Sequence, residues 1–375
     1  MLPHPDPTRP DLRSLSQPAL GALLAELGEK PYRLKQLYRW LHQKGAASLE
    51  EMTDLPAALR ASLAERSELT TLAVHLEQRS ADGTIKWTWR TFDGKLIESV
   101  YMPEKDRKTL CVSSQVGCAI GCVFCLTGTM GLSRNLTPGE IVDQVHRANR
   151  RLIELGEGTG NRPLTNLVFM GMGEPLHNYA NLMTSLGILL SEDGPNFSTR
   201  HLTVSTSGLV PAMRAFGEET DVKLAVSLNA TTDEARDMLM PINRRYPLAE
   251  LMEACRSFPM KRGRRITFEY VMLGGVNDSD ADAERLARLI RGIPAKVNLI
   301  PYNENQDLGF TGPPVERVTA FQELLIGRNI TAVVRKSRGR DISAACGQLA
   351  AEGGPGDPRR GRGTAASAAA TGPSH

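Results

Sequence analysis

Residues 109–128 read TLCVSSQVGCAIGCVFCLTG. The apolar run TLCVSS at the start of this stretch favours a β-strand, and a loop with three cysteines follows it. A helix is predicted next, over the sequence LTPGEIVDQVHRANRRLIEL at 136–155, with Thr137 as its N-cap and Glu140 closing a capping box. A strand, a loop and a helix in this order form the unit from which parallel sheets are built.

The same alternation continues along the chain. Further strand candidates are NLVFMGM (166–172), HLTVST (201–206), KLAVSLN (223–229), RITFEYVML (265–273), KVNLIPYN (296–303) and ITAVVRKS (330–337). Helical stretches such as YANLMTSLGILLSE and DADAERLARLIRG separate them. This pattern predicts an α/β fold, a parallel sheet with helical crossovers. Six or so units predict a partial or closed barrel, with an active site at the carboxyl ends of its strands.

The segments on either side of this core have a different character. Three helical segments are predicted near the N-terminus, LGALLAELG (20–28), YRLKQLYRWLHQKG (32–45) and SLEEMTDLPAALRASLAER (48–66), followed by a hairpin, IKWTWRTFDGKLIESVYMP (85–103). The end of the chain is rich in Ala, Gly and Pro, which predicts disorder. The expected divisions are a helical accessory domain with a β-hairpin extension at 1–103, a catalytic core at 104–341, a short cysteine-bearing segment at 342–349 and a disordered tail at 350–375.

Composition limits the cellular setting and the partners. Of the 375 residues 41% are hydrophobic, yet no apolar run approaches the roughly 20 residues of a membrane helix, so no membrane association is expected. The first residues lack the apolar segment of a signal peptide, which predicts a cytoplasmic protein with reduced cysteines. The net charge is only +3, but basic clusters such as HRANRR and KRGRR recur, each either a solvated face or part of an RNA-binding surface.

The three-cysteine loop allows three interpretations. Cys118, Cys122 and Cys125 lie within eight residues of one another, directly after a predicted strand. A structural zinc site needs a fourth ligand and generally uses paired two-ligand knuckles, which are absent here. An iron–sulfur cluster held by three thiolates has one iron with open coordination, where another molecule can bind. Three unrelated core cysteines are the remaining alternative.

The motif CAIGCVFC resembles the CxxxCxxC signature of the radical S-adenosylmethionine superfamily, including the aromatic Phe124 before the last cysteine. The resemblance implies a partial (β/α)6-type barrel and one 4Fe-4S cluster bound by Cys118, Cys122 and Cys125. It also implies that the open iron chelates S-adenosylmethionine, whose cleavage yields a 5′-deoxyadenosyl radical.

Other loops match cofactor-binding positions of that superfamily. GMGEPL resembles its methionine-binding loop, which implies that Gly173 and Glu174 meet the amino group of S-adenosylmethionine. Polar positions at later strand ends would contact the same cofactor, namely Ser205, Ser227, Leu228, Asn229 and Asn303. Without the resemblance, the glycine-rich loop is equally compatible with an ordinary turn. The polar positions are then also compatible with residues that only terminate buried strands.

Two further cysteines narrow the resemblance. Cys111 in TLCVSSQVGC and Cys346 in RGRDISAACGQL, together with LIESVYMP, resemble the RlmN-type adenine methyltransferases from about residue 30 to residue 349. That family methylates carbon 2 of an adenine in the peptidyl transferase centre of 23S rRNA and of an adenine in the tRNA anticodon loop. The related Cfr enzymes share the cysteine pair and methylate carbon 8 of the same rRNA adenine, so this alternative stays open, as does a non-catalytic, zinc-stabilised RNA-binding protein.

The resemblance also implies the site roles. Cys346 would accept a methyl group from the first of two S-adenosylmethionine molecules used per turnover and then carry it onto RNA in a covalent adduct. Glu98 would remove the proton from carbon 2, and Cys111 would resolve the adduct through a transient disulfide with Cys346. Cys255 fits none of these roles and is predicted to be a core residue.

The expected partners follow from the same resemblance. They are 23S rRNA, tRNA and an electron donor such as flavodoxin with its reductase, and the protein is expected to be a monomer. The segment YRLKQLYRW is the candidate RNA-gripping element, because aromatic faces stack on bases and cations meet phosphates. The alternative is that Tyr32, Tyr38 and Trp40 form the core of the accessory domain.

Overall fold

The computed structural model describes residues 9–157, 163–261, 263–304 and 308–350. In these ranges the strands are β1 (Ala73–Arg79), β2 (Ile85–Arg90), β3 (Leu96–Pro103), β4 (Lys108–Cys111), β5 (Gln115–Gly117), β6 (Leu132–Asn135), β7 (Asn166–Phe169), β8 (Leu202–Thr206), β9 (Lys223–Ser227), β10 (Ile266–Met272), β11 (Ala295–Pro301) and β12 (Ala332–Val334). The α-helices are α1 (Gln17–Glu26), α2 (Tyr32–Tyr38), α3 (Ala57–Arg66), α4 (Leu126–Thr129), α5 (Pro138–Glu154), α6 (Tyr179–Leu190), α7 (Val210–Glu219), α8 (Asp233–Leu239), α9 (Leu248–Arg256), α10 (Asp280–Leu289) and α11 (Val315–Gly327).

The core of the protein is one continuous sheet, in the order β1-β2-β3-β4-β7-β8-β9-β10-β11-β12. Strands β4, β7, β8, β9, β10, β11 and β12 pair in parallel in this order, whereas β4 pairs antiparallel with β3 on its other side. Helices α5, α6, α7, the pair α8 and α9, α10 and α11 connect successive parallel strands, which makes six strand–helix units. Strands β4 and β12 are not paired with each other in the described residues, so the barrel is partial. The predicted α/β barrel is confirmed.

Local sequence signals account for the helix that follows the cysteine loop. In α5 the Thr137 side chain accepts from the Glu140 N–H, and the Glu140 carboxylate accepts from the Thr137 N–H. Pro138 occupies the first turn, where its missing N–H costs no hydrogen bond. The predicted capping box is therefore confirmed, and it fixes where the first crossover begins.

Strands β2 and β3 form the predicted hairpin, with Thr88 opposite Glu98. Strand β1 pairs with β2 but was not predicted from the sequence, because AVHLEQR is mostly polar and its register is irregular between Val74 and Leu76. The three-residue strand β5 pairs with β6 in a separate two-stranded sheet, which also carried no sequence signal. This small sheet flanks the cysteine loop on both sides in sequence.

The N-terminal helices surround a hydrophobic core of their own, which includes Leu20, Leu37 and Leu59. The predicted helix over 48–66 is wrong in its first half, because only Ala57–Arg66 is helical and Pro56 precedes it. A π-helical turn, Arg39–Gln43, continues α2.

The helical unit is joined to the barrel by a buried ion pair. Arg13 lies 3.2 Å from Asp143 on α5, and both side chains are almost fully buried. Asp143 also accepts from the Leu72 N–H at 2.7 Å. Removing one member of a buried pair typically costs about 3–5 kcal/mol, so this contact holds the accessory unit against the core.

The C-terminal boundary differs from the expected one by one residue. Ala350, placed in the predicted disordered tail at 350–375, is fully buried. Residues 351–375 of that prediction lie outside the described residues. Among the residues that are described, no helix combines the length and apolar character needed to span a membrane.

Candidate active site

A cavity of about 170 Å³ opens where the parallel strands end. Most of the predicted site residues line it, namely Cys118, Cys122, Cys125, Gly173, Glu174, Ser205, Ser227, Asn229 and Cys346. They come from loops far apart in sequence, and the barrel brings them together because the carboxyl ends of parallel strands meet at one face.

The three cysteines of the loop lie together on one wall of this cavity. The loop is closed by hydrogen bonds from the Cys118 N–H to the Gly131 carbonyl at 2.9 Å and from the Cys125 N–H to the Cys122 carbonyl at 3.2 Å. Burial raises the pKa of the Cys118 thiol to about 12 and raises the pKa values of Cys122 and Cys125 as well. A bound metal centre would oppose this shift and favour the thiolate forms that act as ligands.

The arrangement fits an iron–sulfur cluster better than a zinc ion. In the described part of the chain, no three His, Cys, Asp or Glu side chains are close enough to hold a single metal ion. In a cubane cluster each thiolate binds a different iron, so three thiolates around a shared cavity suit a cluster. Cys118, Cys122 and Cys125 would hold it.

The loop GMGEPL passes close to β5. A Cβ on Gly173 would lie 2.5 Å from the Cβ of Gln115, and the φ of Gly173 is 99°, so only glycine fits. The Glu174 N–H donates to the Gln115 side chain at 2.8 Å, and the Glu174 carboxylate accepts from the N–H groups of Leu176 and Ser207. Burial raises the pKa of Glu174, while these hydrogen bonds oppose the shift. A cationic ligand group in the cavity would favour its charged form.

The later strand ends divide into two groups. Ser205, Ser227 and Asn229 line the cavity, and Asn229 adopts a left-handed backbone with φ 56°. The Leu228 side chain is fully buried and does not line it. Asn303 lines a smaller neighbouring cavity, and Arg335 and Cys346 line this cavity too.

Cys111 and Cys346 come together from opposite ends of the core. Both thiols are free, and they lie close enough for their charges to interact. Burial raises the pKa of the Cys111 thiol to about 12, the nearby Cys346 raises it further, and the Arg335 guanidinium opposes the shift. In turn, Cys346 raises the pKa of the buried Arg335. Arg335 therefore interacts electrostatically with both thiols.

Glu98 lies on β3 beneath the segment that carries Cys346. Its carboxylate is fully buried, with one oxygen 3.5 Å from the Lys86 amine and 3.4 Å from the Thr88 hydroxyl. The other oxygen accepts from the Ala350 N–H at 3.0 Å. Lys86 also donates to the Ser343 carbonyl. Contacts on both sides of Cys346 therefore join its segment to the Glu98 carboxylate.

Sequence reasoning missed three charged residues at this site. Arg335 follows β12 directly, and its position after the last strand was the available signal, although RKSRGR reads as an ordinary basic cluster. Lys86 lies on β2, IKWTWR, where the alternating aromatic residues predict a strand but nothing in the sequence marks the lysine as buried. Glu269, on β10, lines the cavity with one buried carboxylate oxygen lacking a hydrogen-bond partner, and nothing in RITFEYVML marks it.

The three aromatic residues of the candidate RNA-gripping element differ in how deeply they are buried. Tyr38 belongs to the core of the helical unit, whereas the Tyr32 residue is 53% exposed. Trp40 is partly buried, with the Lys44 amine 3.4 Å from its ring centre. The core interpretation is thus correct for Tyr38 and in part for Trp40, whereas Tyr32 is exposed and has the Arg33 guanidinium over its ring.

Comparisons with family models and solved structures show the superfamily to which the chain belongs. The family model of the radical SAM superfamily matches residues 112–287, and that of the ribosomal RNA large subunit methyltransferase N-terminal domain matches residues 10–69. A crystal structure of a radical SAM methyltransferase from Sphaerobacter thermophilus is similar, with a TM-score of 0.86, 52% identity, and coverage of 92% of this chain and 100% of that one. The fold and the three-cysteine site define a radical S-adenosylmethionine enzyme.

Curated relatives narrow the class. The dual-specificity RNA methyltransferase RlmN of Anaeromyxobacter dehalogenans is 77% identical over 94% of each chain. RlmN 2 of Myxococcus xanthus is 59% identical over 94% of each chain. The chain belongs to the RlmN family of dual-specificity RNA methyltransferases.

Proposed function

We propose that the protein methylates carbon 2 of an adenine in 23S rRNA and of an adenine in tRNA. The observation that carries this proposal is the pair of thiols outside the cluster loop, with Cys346 on the cavity wall and Cys111 beside it. Carbon 2 lies between two ring nitrogens and is electron-poor, so it does not attack a sulfonium methyl directly. A thiolate does accept such a methyl group.

When bound, the 4Fe-4S cluster and S-adenosylmethionine supply a 5′-deoxyadenosyl radical for hydrogen abstraction. Cys118, Cys122 and Cys125 hold the cluster. Glu174 would accept from the amino group of S-adenosylmethionine, and Gly173, which lines the same cavity, allows the loop to pack closely against Gln115. Ser205, Ser227 and Asn229 line the cavity and would make further contacts to this cofactor. For Leu228 and Asn303, which do not line this cavity, a cofactor contact rests on the family resemblance alone.

The remaining chemistry belongs to three side chains. Cys346 Sγ accepts the methyl group from the sulfonium of a first S-adenosylmethionine. After one hydrogen atom of that methyl group is lost to the 5′-deoxyadenosyl radical, the methylene carbon would bond to carbon 2 of the adenine, and one electron would return to the oxidised cluster. Glu98 then removes the proton from carbon 2, which requires the segment around Ala350 to release its carboxylate. The Cys111 thiolate then attacks Cys346 Sγ and breaks the bond between this sulfur and the methylene carbon. That carbon takes up a proton to become the methyl group of the released base, and a disulfide remains between the two cysteines. Anaerobic reconstitution with 23S rRNA, followed by nucleoside analysis, tests the whole proposal.

We expect the release of the adduct to accelerate with pH. Burial holds the pKa of the Cys111 thiol near 12, so the reactive thiolate fraction rises about tenfold per pH unit between pH 7 and 9. Rapid-quench gels of the transient protein–RNA adduct measure its decay. Cys255→Ala, a change in the hydrophobic core, should show the same profile as the unmodified enzyme. Decay that is independent of pH would contradict resolution by the Cys111 thiolate.

RNA binding is assigned to the exposed face of α2 and the turn that follows it. Arg33 pairs with Glu29, whereas the more exposed side chains of Lys35 and Arg39 both meet Asp193. These contacts are weak and screened by salt, so phosphate can replace them.

Changing Arg33, Lys35 and Arg39 to Gln should weaken RNA binding. Each lost phosphate contact should reduce the slope of log K against log salt by roughly 0.7 to 0.9. Titrations at several salt concentrations measure the slope. Cleavage of S-adenosylmethionine without RNA is the control and should not change. An unaltered slope would place the RNA footprint on another basic surface.

The other partners complete the proposal. A flavodoxin with its reductase supplies electrons, the protein acts as a monomer, and it works in the cytoplasm, where its RNA substrates are made. We also propose the functional division of the chain into an accessory unit at 1–103, a radical core at 104–341 and a thiol segment at 342–349. The match of residues 10–69 to the N-terminal domain model supports the first of these units.

A further inference from the structure

Arg236, on helix α8, has a fully buried side chain that binds several carbonyl groups. Its Nε donates to the Leu228 carbonyl at 3.0 Å, and its Nη2 donates to the carbonyls of Ser207 at 2.7 Å and Ser227 at 3.2 Å. Nη1 donates to the Asn243 side chain at 3.0 Å. One guanidinium therefore links three backbone carbonyl groups and the side-chain amide of Asn243.

Two of these carbonyls, those of Ser207 and Ser227, lie just past the end of the backbone pairing between β8 and β9. The ladder between β8 and β9 ends at the pair Thr206 and Val226. Ser207 and Ser227 are the next residues on the two strands, and both line the cavity. Arg236 thus bridges the strand ends directly beyond their last backbone pairing.

The same clamp reaches the loop that meets the amino group of the cofactor. Arg236 holds the carbonyl of Ser207, and the N–H of Ser207 donates to the Glu174 carboxylate at 2.7 Å. A displacement of Ser207 would therefore move a hydrogen-bond donor of Glu174.

The guanidinium is itself held in one orientation. Its acceptor Asn243 donates to the carboxylates of Asp233 and Asp237, at 2.9 and 2.7 Å. Arginine presents several donors in a rigid planar fork, whereas a lysine ammonium is a single point on a flexible stem. Lysine would keep the charge at this position but could not satisfy carbonyls that approach from different directions.

We propose that Arg236 is a positioning residue for S-adenosylmethionine, which sets the separation of the β8 and β9 ends at which Ser205, Ser227 and Asn229 contact the cofactor. This inference rests on the proposed function of those three residues. It assigns Arg236 no contact with the cofactor or with the reacting atoms.

The test compares Arg236→Lys with Arg244→Lys, a matched change at an exposed arginine a short distance along the chain. Both proteins are reconstituted anaerobically, and iron content, thermal unfolding and the dissociation constant for S-adenosylmethionine are measured. We expect affinity to fall roughly 10- to 100-fold in folded, cluster-loaded Arg236→Lys, as small displacements in a binding site do. Arg244→Lys should bind like the unmodified protein.

A purely structural arginine would lower the unfolding temperature but leave the affinity of the folded, cluster-loaded fraction unchanged, and that result would overturn the proposal. If Arg236→Lys does not fold, Asn243→Ala decides, because it retains the guanidinium and removes the acceptor that orients it. A severalfold loss of affinity is then expected, and an unchanged affinity would overturn the proposal. Unmodified, cluster-loaded protein that failed to bind S-adenosylmethionine would instead count against the proposed function.

Discussion

Cys111→Ala is expected to stop the enzyme after one event, with the protein covalently attached to its RNA. In the proposed mechanism, methyl transfer to Cys346 and bond formation to adenine do not need the Cys111 thiol, but release of the adduct does. Because Cys111 is held beside Cys346 by the fold, it attacks the adduct intramolecularly, and an external thiol at millimolar concentration should replace it only slowly. A denaturing gel should show a shifted protein band that nuclease treatment removes.

The companion variants separate the two thiols. Cys346→Ala should form no adduct, because the methyl group has no acceptor, and Cys255→Ala should turn over normally. Glu98→Gln should stall at the same stage as Cys111→Ala, since proton removal precedes release. Normal turnover by Cys111→Ala without an adduct, or an adduct with Cys346→Ala, would reverse or refute the assignment of the two thiols.

Replacement of any one of Cys118, Cys122 and Cys125 by Ala is expected to remove the radical chemistry altogether. Each would supply one of the three protein ligands proposed for the cluster, so its loss would leave one iron without its protein ligand. Absorbance of the reconstituted protein near the cluster bands and formation of 5′-deoxyadenosine should both fall to background.

Cys255→Ala is the matched control, because it removes a buried thiol of the hydrophobic core and should retain both signals. Cleavage of S-adenosylmethionine at the normal rate by any of the three loop variants would contradict the ligand assignment. Zinc without sulfide in the purified, reconstituted protein would contradict the cluster itself.

Much of the fold was predictable because local and long-range signals agree. Strands β4 and β7 to β12 are short apolar runs, and caps such as Thr137 with Glu140 mark where crossovers begin. Strand β1 was missed since its pairing depends on β2 and not on its own mostly polar sequence. The first half of the segment at 48–66 was overpredicted as helix, and the helix begins only after Pro56.

The site was predictable where chemistry is written in residue type and spacing, as with the three cysteines of the loop. Arg335, Arg236 and Lys86 could not be assigned, because their roles depend on which carbonyls, thiols and carboxylates the fold brings to them. Charged residues are common in the sequence, and only burial reveals which of them hold the site together.

The central claim is that this site methylates carbon 2 of adenine, and nucleoside analysis of reconstituted reactions tests it most directly. The cluster-loaded protein, S-adenosylmethionine, a reductant and unmodified 23S rRNA or tRNA are incubated without oxygen, and the digested RNA is separated against synthetic standards. The two possible products have the same mass, so retention time decides between them. The account predicts 2-methyladenosine in both RNAs, absent with Cys346→Ala, whereas 8-methyladenosine or no methylated adenosine would contradict it.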